Sequence, residues 1–111
     1  MTPLPPYAAE SLSRAEVDAL PGPTVLEFGT NWCGICQAAT PAIAQALAAH
    51  AAAASLRHLR VEDGPGRPLG RSFGIKLWPT LVLLQDGREV ARVVRPRQAA
   101  AIGDALAALA P

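Results

Sequence analysis

Apolar positions along this chain fall into two rhythms. Thr24-Val25-Leu26-Glu27-Phe28 and Thr80-Leu81-Val82-Leu83-Leu84 are short runs with few polar breaks, as in strands buried on both faces. Asp86-Gly87 follows the second run and is a strong hairpin signal, so Glu89 to Val94 is expected to return as its partner strand. Leu56 to Val61 reads as a further strand. Elsewhere the period is helical. Ile43 and Leu47 share one face of a segment expected to run as a helix from about Cys33 to Ala53. Ala99, Ile102, Leu106 and Leu109 recur along a C-terminal helix with one face turned to the sheet. Leu69 and Phe73 mark a helical turn after the Gly/Pro-rich connection from Asp63 to Gly70. Ser13-Arg14-Ala15-Glu16 is a capping box opening a short helix to about Leu20, and Pro21-Gly22-Pro23 stops it. The expected order is α-β-α-β-α-β-β-α, an α/β fold with a small mixed sheet flanked by helices.

Local chemistry refines this outline. The Pro-rich residues 1–10 are expected to be loose. Gly29-Thr30-Asn31 turns the chain, and either Asn31 or Thr30 is placed to cap the next helix. Pro41 falls inside that helix, cannot donate to the carbonyl of Gln37 and should kink it. The alanines from 51 to 54 are read as favourable helix rather than function. With no internal repeat and no linker, residues 1–111 are read as one domain.

Composition narrows the function. A net charge of +1 suggests no polyanionic partner, and no basic block with interleaved aromatics points to nucleic acid. No apolar run approaches membrane-spanning length. The first residues carry neither a basic start nor an apolar core of the kind a secretory signal needs, so the expected setting is the cytoplasm. The chain has two cysteines, both in Trp32-Cys33-Gly34-Ile35-Cys36. Two thiols cannot complete a four-ligand zinc site, and His50 and His58 do not fall into a compact ligand spacing with them. A structural disulfide across so short a loop would constrain the unfolded chain little. A Cys-x-x-Cys pair opening a helix, where unpaired N–H groups favour a thiolate, instead suits exchange between dithiol and disulfide.

Four features together resemble the thioredoxin family, over most of the chain from about Val25 to Leu109. They are the acid Glu27 in a buried-type strand six residues before the first cysteine, the Trp-Cys-Gly-Ile-Cys run, Pro41 five residues past the second cysteine, and Trp78-Pro79-Thr80 entering a strand that leads to the Asp-Gly hairpin. The chain departs from the family's usual pattern in five places. Ile35 stands where thioredoxins proper carry proline, Glu27 where the buried acid is usually aspartate, and Trp78 where a small or β-branched residue is common. The third active-site loop, Val94-Arg95-Pro96, lacks its usual glycine. The family's first strand is weak or absent ahead of residue 24.

The resemblance, set beside the residue chemistry, assigns roles. Cys33 is expected to be the exposed nucleophile and Cys36 the buried resolving thiol. Glu27 would exchange protons with Cys36 through water if burial raises its pKa; the other reading is an edge carboxylate paired with a surface arginine. The strand after it offers Arg57, His58 and Arg60, with His58 aligned nearest. Pro79 is expected to be cis. Trp32, Gly34, Ile35, Trp78, Pro79 and Val94 are expected to bind substrate, although Trp78 also fits a core aromatic. The Ile35 N–H is expected to reach the Cys33 sulfur and make the couple more oxidising than proline would.

The leading function is reduction of protein disulfides through Cys33 and Cys36, with no bound cofactor or metal. Partners would be disulfide-containing proteins and a separate electron-donating reductase or a small thiol, with a monomer as the default state. Two other functions fit less well. One is a more oxidising oxidase or isomerase. The other is a non-catalytic partner-binding module, against which the retention of both cysteines speaks.

Overall fold

The computed structural model describes residues 4–50 and 52–110. Its centre is β1 (Pro23–Gly29), buried from Thr24 onward. β1 runs parallel to β2 (Arg57–Glu62) and antiparallel to β3 (Thr80–Gln85), and β3 pairs antiparallel with β4 (Arg88–Val94), giving the order β2-β1-β3-β4. The two inner strands are covered on both faces, which is why their sequences run apolar with little alternation. Val25, Leu81 and Leu83 pack with Ile43 and Leu47 of α2 (Gly34–Ala49) and Ile102 and Leu106 of α4 (Ala99–Leu106). Leu26, Phe28, Val82 and Leu84 pack with Val17 of α1 (Arg14–Asp18), Leu69 of α3 (Pro68–Ser72) and Phe73 just beyond it. The expected order of elements, mixed sheet and helical cover are all present, with a 3-10 turn at Ala53–Ser55 added.

The hairpin has the conformation its sequence demands. Asp86 and Gly87 both have positive φ, 52° and 79°, the combination a tight hairpin with right-handed twist requires. Asp86 also ties the tip to the loop before β1, its carboxylate accepting from the Gly22 N–H at 2.7 Å. The capping box of α1 forms as expected: Ser13 Oγ accepts from the Glu16 N–H and Glu16 accepts from the Ser13 N–H. Pro41 lies inside α2.

Three expectations change. α2 ends at Ala49 rather than Ala53, because His50 already has extended backbone (φ −67°, ψ 133°) and the chain must turn to enter β2; Ala51 lies outside the described residues. The N-terminal segment, expected to be loose, is tied down where it is described. Tyr7 is buried, and its N–H and C=O are clamped by the Asn31 side chain at 2.8 and 3.0 Å. Ala8 makes one parallel bridge to Val61, donating to the Arg60 carbonyl and accepting from the Glu62 N–H. The weak first strand survives as that bridge, while residues 1–3 lie outside the described residues. Finally, Asn31 is spent on Tyr7 and does not cap α2. Among the described residues, no helix is long and apolar enough to cross a membrane.

Candidate active site

The turn from β1 into α2 carries the cysteines. Cys33 is itself the N-cap of α2, with extended backbone, and its Sγ accepts from the Cys36 N–H at 3.3 Å. The donor to the sulfur is therefore Cys36, three residues on, and not Ile35 as expected. Cys33 is half-buried and Cys36 fully buried, and both are free thiols. This matches the expected split between a reachable and an interior sulfur. Burial pushes the Cys36 thiol up to about 11, its hydrogen bond to Cys33 adds to the rise, and the Thr30 backbone and Tyr7 hydroxyl oppose it.

A second loop meets the first. The Trp78–Pro79 peptide is cis, as the resemblance implied. Trp78 packs edge-on to Trp32, ring centroids 5.7 Å apart, and its indole N–H donates to Asp63 at 2.9 Å. Trp78 is only half-buried, so it belongs to the rim and not to the core. Trp32 stands 74% exposed, and Ile35, Leu77 and Val94 are exposed beside the same loops. Val94 pairs with Thr80, next to Pro79. Gly34 has open space above it. Arg95, with φ 50°, donates its N–H to the Pro79 carbonyl at 2.8 Å and its guanidinium to the Trp78 carbonyl at 2.9 Å.

Beneath the cysteines lies a buried charge. Glu27 is fully buried. One oxygen meets His58 Nε2 at 2.9 Å; the other accepts from Arg60 at 3.0 Å and from the Tyr7 hydroxyl. His58 is the residue the sequence aligned nearest, and Arg60, also offered by that strand, sits opposite Glu27 in the register. Arg57 turns instead to Thr24 and the Pro21 carbonyl. Burial alone would raise the Glu27 pKa, but hydrogen bonds from His58, Arg60 and Tyr7 outweigh it and hold the carboxyl below its ordinary value. This reverses the expected direction. Glu27 and Cys36 are pushed apart, so a proton passed from the thiol to this carboxylate would move strongly uphill.

Sequence reasoning missed Tyr7. Its signal was faint, one aromatic in a Pro-rich stretch without periodicity. It also passed over Leu77 on the rim and Asp63 behind Trp78. Gly29 shows how tightly the interior is filled: a Cβ there would lie 2.7 Å from the Tyr7 ring and 2.8 Å from both Cys36 Sγ and the Tyr7 hydroxyl oxygen. Among the described residues, no group of three or more His, Cys, Asp or Glu side chains is placed to hold a metal ion. What the site offers is one reachable thiol, one buried thiol a helical turn away and an apolar rim around them.

Known proteins with this arrangement are recognisable from sequence and from structure. The thioredoxin family model matches residues 9–108. Thioredoxin from Chlamydia muridarum is 38% identical over 73 residues, 66% of this chain and 69% of that protein. Protein disulfide-isomerase A2 from Pongo abelii is 38% identical over 83 residues, but these span only 16% of that longer protein. The solved structure of thioredoxin 2 from Pseudomonas aeruginosa PAO1, in its reduced form, superposes with a TM-score of 0.81 at 56% identity, over 92% of each chain. With a family match over nearly its full length and relatives in both sequence and structure, the chain belongs to the thioredoxin family of protein thiol–disulfide oxidoreductases.

Proposed function

We propose that this protein works as a reductase of protein disulfides in a reducing compartment, the cytoplasm. The observation that carries the reading is a half-exposed Cys33 at a helix N-cap above a buried Cys36. The Cys33 thiolate attacks a substrate disulfide, forming a Cys33–substrate bond and releasing one substrate sulfur as a thiolate. Cys36 then attacks Cys33 Sγ. The Cys33–Cys36 disulfide forms, the second substrate sulfur leaves with the electron pair, and the protein carries away the two-electron oxidation. A separate reductase or a small thiol returns those electrons, and no cofactor enters these steps. Trp32, Gly34, Ile35, Trp78 and Val94 form the surface that receives an extended substrate segment. Pro79 closes one side of that surface, where Arg95 holds the Trp78 and Pro79 carbonyls. Glu27 serves in this reading as a fixed anion beneath Cys36, not as its base.

Two measurements test this. The reduced protein should precipitate insulin chains in the presence of dithiothreitol, and Cys36→Ser should abolish turnover while holding substrates as mixed disulfides on Cys33. A couple near about −270 mV, the thioredoxin scale, fits a reductase; one near about −180 mV, the isomerase scale, reverses the proposed direction. Failure of Cys36→Ser to trap any disulfide-bonded protein would overturn the mechanism.

A further inference from the structure

Resolution requires Cys36 to become a thiolate inside an apolar interior. The buried carboxylate is badly placed to help directly, since both Glu27 oxygens are already engaged, one by His58 and the other by Arg60 and Tyr7. Tyr7 adjoins both the carboxylate and the sulfur. Its hydroxyl donates to Glu27, and the same oxygen lies, like Cys36 Sγ, 2.8 Å from the point where a Cβ on Gly29 would sit. Glycine at 29 therefore leaves a space that the hydroxyl and the sulfur share. The ring is held from several sides. The Arg60 guanidinium lies 4.1 Å from the ring centroid, Asn31 clamps the Tyr7 backbone, and the Ala8 bridge fixes the next residue.

We propose that the Tyr7 hydroxyl is the donor that stabilises the Cys36 thiolate during resolution. This rests on the disulfide-reduction reading above. At rest the hydroxyl donates to Glu27. As Cys36 gives up its proton, the hydroxyl turns to the sulfur, and Arg60 and His58 keep the carboxylate satisfied. The Cys36 proton goes to water and finally to the released substrate thiolate. The Cys36–Cys33 bond forms as the Cys33–substrate bond breaks. Tyr7 donates a hydrogen bond throughout and exchanges no proton. The charged and titratable groups that face Tyr7 and Cys36 among the described residues are Glu27 from β1, His58 and Arg60 from β2, and Cys33 at the start of α2.

The test separates the two thiol steps. Reduced protein is mixed with the aromatic disulfide dithiobis(nitrobenzoate) in a stopped-flow instrument. The first aromatic thiolate reports attack by Cys33 and the second reports resolution by Cys36. Tyr7→Phe, which keeps the ring, should leave the first phase unchanged and slow the second about tenfold at neutral pH. Its pH midpoint should move upward, so that alkali restores the rate. Tyr7 is the only tyrosine in the chain, so growth on fluorotyrosine places a stronger donor at this one position without removing the hydroxyl. The second-phase midpoint should then move downward, a readout that survives even if Tyr7→Phe folds poorly. A second phase unmoved in pH by either change, or an equal slowing of both phases, would show Tyr7 to be packing only. A wild-type protein that releases one thiolate and never a second would remove the reduction reading itself, and this proposal with it.

Discussion

Glu27 is the residue whose environment decides most about the site. Its place in an apolar strand pointed to burial but left an edge carboxylate open, and the structure buries it fully. The direction in which its pKa moves was not legible, because the three groups that set it stand 20, 31 and 33 residues away in sequence. A carboxyl held below its ordinary value contributes its full stabilisation above the ordinary carboxylate range and loses it as acid reaches the lower folded value. Glu27→Gln leaves Arg60 buried without its counter-charge. It should destabilise the protein by about 3–5 kcal/mol at neutral pH, and the gap to wild type should narrow as pH falls below about 4. Chemical denaturation across a pH series measures this. A gap that widens in acid would mean the carboxyl is protonated in the folded state at neutral pH.

At the scale of elements, strands and hairpin were the most legible. Continuous apolar runs and an Asp-Gly pair state both burial and turn. The end of α2 was not, because alanine favours helix wherever it stands and the stop at His50 comes from the route the chain must take into β2. The hairpin tip also does more than reverse the chain. A Cβ on Gly87 would lie 1.8 Å from the Asp18 carbonyl oxygen at the end of α1, so the tip and the helix end occupy adjoining space. Gly87→Ala should therefore cost about 1–3 kcal/mol through positive-φ strain and overpacking, more than an exposed turn would. Thermal melting reads the loss, and the second-order rate of Cys33 alkylation in the folded variant should stay at the wild-type value.

Across the whole molecule, the resemblance supplied an architecture that periodicity alone did not. Strand order and the position of β1 between β2 and β3 depend on pairings no local pattern states. The docking of residues 4–10 was likewise hidden, since it rests on one bridge and on a tyrosine held by Asn31. The charge that β1 carries inward also has a consequence in time. Pairing β1 with β3 sets Glu27 opposite Leu81, and closing that contact around an unpaired carboxylate is costly. The expected order of assembly therefore sets β2, which brings Arg60 and His58 to Glu27, against β1 before β3 closes over it. Arg60→Met should accordingly slow refolding by about tenfold, roughly half of a loss of about 3 kcal/mol, and a variant whose entire loss appears in the unfolding rate would refute that order.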